Sequence, residues 1–408
     1  MAQIATTTAG SLPRTQALID ANGARELADD GFTLKTTPAF DDLVTAAVAD
    51  VVARQRAAGI TLVGDGEFGK AMSSAVDYGA WWSYSFQRVT GLSLTDVNPI
   101  IAAPEAGQDL AGQRAVRSEP GSIRLTSFVD RRDRQRFPAV YHDAETVPQG
   151  HIATAFPTTT GAISYRGQDA VAADIRHLKA ALQPGEQGFL TAISPGSAAR
   201  VVNTHYATEQ AHIDAWADAL REEYKAITDA GLVLQIDDPS LAENWDQINP
   251  EPSVEDYQAF TKIRIDALNR AIEGLPREQV RLHLCWGSWH GPHTTDIELR
   301  HILPVVLQAN VGSISFEAGN VRHEHEWSVW RDAAVPADLV LVPGVVSHAT
   351  NVVEHPDLVA ERIGRFVSIV GPERVIASTD CGLGGRVHPD IAWAKLEALG
   401  EGARRAGV

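Results

Sequence analysis

From residue 187 onward the chain alternates short apolar runs with amphipathic helices, and this alternation restricts the fold more than any other feature. The predicted strands in this part are Gly188–Ser194, Leu232–Asp237, Arg281–Cys285, Ser313–Glu317, Leu339–Val346 and Val375–Asp380. Two of the intervening helices are predicted at Thr208–Ala230 and Asp357–Val370, where apolar side chains recur every three or four residues. Their apolar stripes comprise Ile213, Trp216, Leu220 and Ile227 in the first helix and Leu358, Ile363, Phe366 and Val370 in the second. Apolar strands that alternate with such helices indicate a parallel sheet covered by helices.

The first part of the chain is less regular. Ile4–Ser11 and Thr61–Glu67 are predicted strands, Leu43–Ala58 between them is a predicted helix, and Ile152–Tyr165 is a predicted strand or hairpin. Together with the later strands these make nine candidates for the eight positions of a barrel, so one of them must lie outside it. Residues 80–150 are the least periodic stretch and predict an inserted arm.

We therefore predict an α/β fold, a single TIM (β/α)8 barrel in which residues 1–408 form one catalytic domain with an irregular insertion at about 80–150. Barrel enzymes build their active sites at the carboxyl ends of the strands, and polar side chains collect there in this sequence. These side chains are Ser11, Asp65, Glu67, Asp237, Asp238, His283, Cys285, Glu317, His348, Asp380 and Cys381. A doubly wound open sheet is the alternative, but the sequence lacks its glycine-rich dinucleotide motif.

The composition narrows the choice of partners. The chain has 52 acidic and 35 basic residues, with a formal net charge of -17. This balance argues against a nucleic-acid or anionic-membrane binder, because phosphate contacts need a basic surface. No stretch approaches the roughly 20 apolar residues of a membrane span, and the N-terminus does not resemble a signal peptide. We expect a cytoplasmic protein that acts on small molecules, and the sequence leaves its oligomeric state open.

The chain has two cysteines, and each of them closes a predicted strand. Cys285 follows His283 by two positions, so the two side chains project from the same face of their strand. Cys381 ends a second strand, and Glu317 ends a third one that lies between them in the sequence. Two thiolates, an imidazole and a carboxylate suit Zn²⁺. His283, Cys285, Glu317 and Cys381 are therefore the predicted zinc ligands.

Alternatives to this ligand set remain open. The two cysteines could be buried structural residues beside a core histidine, because free cysteine often behaves as a small apolar side chain. Loop histidines could also replace one of the ligands, namely His290, His293, His323 or His325. With the predicted set, two thiolates and one carboxylate outweigh the charge of the ion, which preserves the nucleophilicity of a bound sulfur. This favours alkyl transfer to a thiol over hydrolysis.

Further polar motifs suit the recognition of an amino acid. Asp65-Gly66-Glu67 and Asp237-Asp238-Pro239 place carboxylates at two strand ends, where they could bind an ammonium group or simply cap helices. Thr8–Arg14 offers backbone N–H groups and a hydroxyl for a substrate carboxylate. An aromatic cluster could stack on a flat ligand or fill the core, and it comprises Trp81, Trp82, Tyr84 and Phe86. The arginines of the insertion could bind an anionic tail or form a solvated loop, and they are Arg114, Arg117, Arg124, Arg131, Arg132, Arg134 and Arg136.

Taken together, these residues resemble the C-terminal catalytic barrel of cobalamin-independent methionine synthase and its relatives, including epoxyalkane:coenzyme M transferases. The matching stretches run in the family's order across nearly the whole chain. They are Thr8–Arg14, Gly66-Glu67-Phe68, Leu234–Pro239, His283-Leu284-Cys285, Phe316-Glu317 and Asp380-Cys381-Gly382-Leu383.

The resemblance implies a TIM barrel that holds zinc through the four predicted ligands. It also implies that Ser11, Glu67 and Asp237 hold the amino-acid end of a thiol such as homocysteine. Pro343–His348 resembles the segment that carries the family's proton-donating histidine, which makes His348 the candidate general acid. Two departures are apparent: the long synthases have a second, N-terminal barrel, and Asp238 stands where the synthases have Glu.

The function predicted from these residues is that of a zinc-dependent S-methyltransferase. It would activate a homocysteine-like thiol as a zinc thiolate and methylate it from a methyl-tetrahydrofolate or corrinoid donor. One alternative keeps the thiolate and uses an epoxide or another alkyl electrophile, as epoxyalkane:coenzyme M transferases do. A folate-dependent demethylase and a non-catalytic barrel with a structural zinc are two further alternatives.

Overall fold

A computed structural model describes residues 4–71, 76, 79–95, 118–125, 131–143 and 155–407. The strands within these ranges are short, and most are buried on both faces. In chain order they are β1 Ala5–Thr6, β2 Leu62–Gly64, β3 Leu92–Thr95, β4 Phe156–Thr159, β5 Gln187–Ile193, β6 Val202–Asn203, β7 Val233–Asp237, β8 Val280–Leu284, β9 Ser313–Phe316, β10 Val340–Val346 and β11 Ile376–Thr379.

Helices follow most of the strands. They are α1 Gln16–Gly23, α2 Pro38–Ala57, α3 Ala80–Gln87, α4 Arg132–Arg136, α5 Pro138–His142, α6 Gln168–Ala181, α7 Pro195–Ala198, α8 Glu209–Asp229, α9 Val254–Ala271, α10 Leu299–Val306, α11 Trp327–Asp332, α12 Pro356–Val370 and α13 Pro389–Ala406. None of the helices in the described part of the chain combines the length and the apolar character that crossing a membrane requires.

Within the described residues, eight parallel strands form one sheet in the order β1-β11-β10-β9-β8-β7-β5-β2. The two edge strands approach each other, since the Thr61 N–H donates to the Thr6 carbonyl at 3.2 Å. The Thr6 hydroxyl in turn donates to the Gly59 carbonyl at 2.7 Å. The sheet is thus nearly closed into a barrel, and the prediction of a TIM barrel is confirmed. All eight strands are parallel, so their carboxyl ends meet on one face.

The ninth predicted strand lies outside the barrel. Within the described part of the predicted range Ile152–Tyr165, which is residues 155–165, β4 is the only strand, and it pairs with β3 and β6 in a separate three-stranded sheet. Ile152 itself lies outside the described residues. The position of β4 follows from its pairing. It is antiparallel to β3, so this pair belongs to a different sheet from the parallel strands of the barrel.

The predicted helices form, with small shifts at their ends. In α8 the hydroxyl of Thr208 caps the first turn, and Gly231 follows the helix with a φ of 77°. Helix α2 begins at Pro38 rather than at Leu43, because Thr37 caps it and Pro38 suits the first turn. In α12 the buried stripe contains Val359, whereas the predicted Leu358 is only half-buried.

The start of the predicted arm belongs to the core. Trp82, Tyr84 and Phe86 on α3 are at most 2% exposed, so these three aromatic side chains fill the interior rather than stack on a ligand. Trp81 is half-buried and packs on Trp82. Arg114 and Arg117 lie outside the described residues.

Candidate metal and thiol site

Three of the four predicted metal ligands converge at the carboxyl ends of β8 and β11. His283 lies in β8, Cys285 follows it, and Cys381 follows β11. One nitrogen and the two sulfur atoms all lie within 4.8 Å of one another. The sulfur atoms are 3.7 Å apart, and both cysteines are free. This distance is too long for a disulfide and suits two ligands of one ion.

His283 presents one ring nitrogen to this cluster. The register of the sheet places His283 opposite Ser315 on β9, and its Nδ1 lies 3.0 Å from the Ser315 hydroxyl oxygen. Its Nε2 is buried and has no hydrogen-bond partner. A second hydrogen bond that fixes the ring is typical of metal-binding histidines. The donor set and the free nitrogen both fit a zinc ion.

The two cysteines differ in their acidity. A hydrogen bond with the neighbouring Cys285 lowers the pKa of the Cys381 thiol well below its usual value, and His283 adds to this. The same hydrogen bond, together with burial, raises the pKa of Cys285. The Gly287 N–H also donates to the Cys285 sulfur at 3.2 Å. The mutual hydrogen bond therefore favours ionisation of Cys381 over ionisation of Cys285.

Glu317, the fourth predicted ligand, lies beside this cluster but outside the group of three. Its carboxylate is buried and accepts the backbone N–H of Trp286 at 2.9 Å. Because Trp286 directly follows Cys285, this bond ties the end of β9 to the end of β8. Asn320 donates to the other carboxylate oxygen at 2.7 Å. Glu317 as a zinc ligand stays a prediction.

Asn320 and Asp380 form a hydrogen-bonded network around the carboxylate of Glu317. The sequence did not predict this role for either residue. Asn320 also donates to Asp380 at 3.1 Å, and Asp380 accepts the N–H groups of Ala318 and Gly319 at 2.8 Å. Burial, followed by the charge of Glu317, raises the pKa of Asp380 to about 8. The signals available in the sequence were the turn-forming Gly319-Asn320 after Glu317 and the position of Asp380 beside Cys381.

Two predicted substrate-binding carboxylates lie on the same face. Glu67 is buried after β2, accepts the Thr191 hydroxyl at 2.6 Å, and lies 3.5 Å from the Lys70 amine. Asp237 ends β7, opposite His283 in the register. Burial raises the pKa of Asp237 to about 7. Glu67 has a φ of 63°, which is rare for a residue other than glycine and is typical of functional sites.

The loop after β1 connects these carboxylates. Gln235 donates both to the Ala9 carbonyl at 2.8 Å and to Asp237 at 2.7 Å. Gly10 packs against Glu67 so closely that a Cβ atom there would lie 3.1 Å from the carboxylate. The half-buried Ser11 accepts the backbone N–H of Leu383, two residues after Cys381, at 2.9 Å. The loop of Ser11 therefore contacts both the carboxylates and the cysteine loop.

Asp238 has a different role from its neighbour. It is fully buried and accepts hydrogen bonds from the hydroxyls of Ser197, at 3.0 Å, and Ser240. These contacts tie β7 to α7, so Asp238 is a structural residue. Asp65 likewise accepts the Glu67 N–H at 2.9 Å and shapes the turn.

His348 lies in the loop after β10 and is 3% exposed. Its Nδ1 is buried and has no partner. Burial lowers the pKa of His348, while the nearby charges of Cys381 and Glu317 oppose this shift. These charges place the ring in the electrostatic field of the cysteine cluster. Its role as a proton donor remains a prediction.

The alternative histidine ligands have other partners or are exposed. His293 and His323 both contact Asp296, at 3.0 and 3.1 Å, and His323 also contacts Glu326 at 2.9 Å. His325 is exposed. His290 lies near Arg386 and His348, and burial lowers its pKa. Within the described residues, the cysteine cluster includes His283 and none of these four.

Comparisons with known proteins identify the family to which this barrel belongs. The nearly closed parallel barrel and the His-Cys-Cys cluster at the carboxyl ends of its strands place the protein in the class of α/β barrels with a candidate metal-binding group on that face. Residues 187–404 match the protein-family model of the cobalamin-independent synthase catalytic domain. The chain therefore belongs to this family, and the resemblance noted in the sequence is confirmed.

Individual relatives are distant. The chain is 26% identical over 229 residues to 2-hydroxypropyl-CoM lyase of Xanthobacter autotrophicus, which covers 49% of this chain and 56% of the lyase. It is 23% identical over 203 residues to a methionine synthase of Thermococcus kodakarensis, covering 49% and 51% of the two chains. The chain thus spans about half the length of the curated relatives it matches.

Two solved structures share the fold over nearly the whole chain. A B12-independent methionine synthase from Shewanella sp. W3-18-1, in complex with selenomethionine, gives a TM-score of 0.67 at 20% identity, covering 98% of this chain and 97% of that one. A methyltransferase from Methanosarcina mazei gives 0.50 at 13% identity, covering 98% and 94%. At these identities the likeness shows the barrel fold.

Proposed function

We propose that the protein is a zinc-dependent S-methyltransferase that methylates a homocysteine-like thiol from a methyl-tetrahydrofolate-type donor. The observation that carries the proposal is the convergence of His283, Cys285 and Cys381, with the buried Nε2 of His283 left free. Glu317 would complete the ligand set. Zinc bound there would keep a substrate thiol ionised at neutral pH.

The carboxylates would set the orientation of the substrate. Glu67 and Asp237 lie at the ends of β2 and β7, which β5 separates in the sheet. Burial and the charge of Glu67 raise the pKa of Asp237, while His283 and Lys70 lower it. A further cation between the two carboxylates would therefore favour the ionised form of Asp237. An ammonium group between them would supply that cation, which suits an amino-acid thiol. Ser11, in the loop that packs against Glu67, would contact the substrate carboxylate.

The transfer itself requires an acid. The ionised sulfur forms a bond to the methyl carbon while the carbon–nitrogen bond of the donor breaks, and the leaving nitrogen takes up a proton. We assign that proton to His348. Burial lowers the pKa of His348, which makes its protonated form a stronger acid. A corrinoid donor would not need this proton.

A second candidate function is thiol alkylation by an epoxide. The observation that favours it is the 26% identity to 2-hydroxypropyl-CoM lyase. The same sulfur nucleophile would then open an epoxide ring. Consumption of L-homocysteine with methyl-tetrahydrofolate and without an epoxide would separate the two functions. A folate-dependent demethylase would instead consume a methylated substrate together with tetrahydrofolate.

Zinc-edge X-ray absorption of the purified protein, with and without L-homocysteine, tests the proposal. We expect two sulfur neighbours at the metal, and a third after the thiol is added. Two sulfurs with no change would direct attention to other thiols and to the epoxide function. If no added thiol changes the metal coordination and the protein unfolds when zinc is removed, the zinc is structural. Absence of zinc from protein produced with adequate metal would refute the proposal.

A further inference from the structure

Residues 131–143, here called the docked segment, contain α4 and α5 and lie against the loops that follow β7 and β8. Arg131 pairs with Glu243 and lies 3.7 Å from Asp246, both in the loop after β7. Arg132 donates to the Trp245 carbonyl at 2.7 Å and pairs with Glu251. These arginines were predicted either to bind an anionic tail or to form a solvated loop. In the described structure Arg131 is buried and both contact the barrel.

Asp133 is the most deeply placed residue of the docked segment, with 0% of its surface exposed. One carboxylate oxygen accepts the N–H of Thr294 at 3.0 Å and its hydroxyl at 2.8 Å. The other accepts the N–H of His293 at 3.1 Å and the Tyr141 hydroxyl at 2.8 Å. A buried carboxylate with four donors is fully satisfied, and it holds two consecutive backbone N–H groups of another loop.

These N–H groups belong to residues 286–296, here called the β8 loop. His293 has a φ of 55°, a backbone conformation that is unfavourable outside glycine and persists where neighbouring groups hold it. Asp133 enforces it from one side. Asp246 also joins the two segments. It accepts a hydrogen bond from the Thr295 hydroxyl of the β8 loop at 2.5 Å and one from the Asp133 N–H of the docked segment at 3.1 Å.

The β8 loop begins immediately after Cys285. Its first two N–H groups, from Trp286 and Gly287, donate to Glu317 and to the Cys285 sulfur. Further along, the Trp289 ring is held between the Arg131 guanidinium at 3.9 Å and the His293 ring at 3.8 Å. The Trp289 indole also donates to Tyr141 of the docked segment at 2.8 Å. The docked segment therefore fixes the far end of a loop whose near end contacts two predicted metal ligands.

We propose that Asp133 is a positioning residue that holds the β8 loop in the conformation required for thiol binding. The part of this inference that concerns thiols rests on the proposed function. The carboxylate itself does not touch the substrate. It accepts hydrogen bonds from the backbone of His293 and Thr294 and thereby holds the β8 loop. The first two N–H groups of that loop donate to Glu317 and to the Cys285 sulfur.

The test compares Asp133→Ala, Asp133→Asn and Thr294→Val with the wild type and with Glu251→Gln. Glu251 is a matched control, because it also pairs with the docked segment but is mostly exposed. Hydrogen exchange of peptides within residues 286–296 is measured by mass spectrometry in the full chain. Each protein is then loaded with Co²⁺ in place of zinc and titrated with L-homocysteine, with the visible spectrum as the readout.

We expect exchange in the β8 loop to become about tenfold faster in Asp133→Ala, with a smaller rise in the two milder variants and none in Glu251→Gln. We expect homocysteine affinity to fall about tenfold in Asp133→Ala at unchanged cobalt content. If Asp133→Ala does not fold, the two milder variants decide. Unchanged exchange overturns the inference, and so does faster exchange with unchanged homocysteine affinity. If homocysteine does not change the visible spectrum of the wild-type Co²⁺ protein, the proposed function is refuted instead. The hydrogen-exchange rates of the β8 loop then decide whether Asp133 holds that loop.

Discussion

The sulfur atoms of Cys285 and Cys381 lie 3.7 Å apart, although 96 positions separate the two residues in the chain. The contact forms because β8 and β11 run parallel in one barrel and end on the same face. The pKa of Cys381 is lowered and that of Cys285 is raised by their mutual hydrogen bond. The fold therefore brings two sulfur atoms of unlike acidity together beside the imidazole of His283.

This proximity predicts that metal protects the cysteine pair from oxidation. After metal removal, a mild oxidant should join Cys285 and Cys381 in a disulfide, because a shift of about 1.7 Å would bring the sulfurs to bonding distance. The zinc-loaded protein should resist the same treatment. Thiol titration and mass spectrometry of the intact chain measure both states. Cys285→Ser provides the control, and a metal-free protein that keeps two titratable thiols under oxidant would contradict the prediction.

Glu67 and Asp237 should discriminate thiols by their ammonium group. In the Co²⁺-loaded protein we expect L-homocysteine to bind about tenfold more tightly than 4-mercaptobutanoic acid, which lacks only the amine. Glu67→Gln and Asp237→Asn should reduce that preference. The exposed Asp338, which pairs with Arg277, gives a matched control as Asp338→Asn. Equal affinity of the wild type for both thiols would exclude ammonium recognition by these carboxylates.

His348→Asn should lower turnover while the metal stays bound. The Nδ1 of His348 is buried without a partner, so the substitution removes a proton donor without breaking a hydrogen bond of that atom. Loss of a general acid typically costs about 100-fold to 10,000-fold in rate. Steady-state turnover with methyl-tetrahydrofolate and metal analysis of the same samples provide the measurement. Unchanged turnover would remove His348 from the mechanism.

His212 should make the stability of the fold depend on pH. Trp216 donates to His212 Nε2 at 3.1 Å and the Thr159 hydroxyl lies 2.9 Å from the same nitrogen, so Nε2 is an acceptor. Burial lowers the pKa of His212 to about 4. Between the ordinary pKa of about 6.5 and the lowered pKa of the folded state, His212 binds more protons in the unfolded state than in the folded state. Its contribution to the free energy of unfolding is therefore complete above this pH range and is lost as the pH falls through it.

The size of this effect is roughly 3 kcal/mol at most, because one pKa unit corresponds to about 1.4 kcal/mol. Denaturant unfolding at several pH values would measure it. The loss between pH 6.5 and 4 should shrink in His212→Gln and persist in His325→Gln, whose side chain is exposed. Parallel pH curves for the wild type and His212→Gln would show that His212 is not responsible.

The strand ends were largely predictable from the sequence. His283 and Cys285 are two positions apart in an apolar run, and the alternation of a strand suffices to place them on one face. The docking of residues 131–143 was not predictable, because Asp133 and Thr294 are 161 positions apart and neither lies in a periodic segment. The position of β4 outside the barrel depended similarly on its antiparallel partner β3, which the sequence pattern did not reveal.

The sequence by itself determined the class of fold and the kinds of side chain at its strand ends. Local hydrophobic periodicity decides which segments become strands and helices, and parallel strands then gather their ends on one face. Only the tertiary structure decided which of those side chains share a site. It turned Asp238 toward Ser197 while Asp237 faces His283, and it left Glu317 beside the group of three ligands. Which side chains face one another depends on strand register and on packing between distant segments, and the local sequence pattern does not determine either.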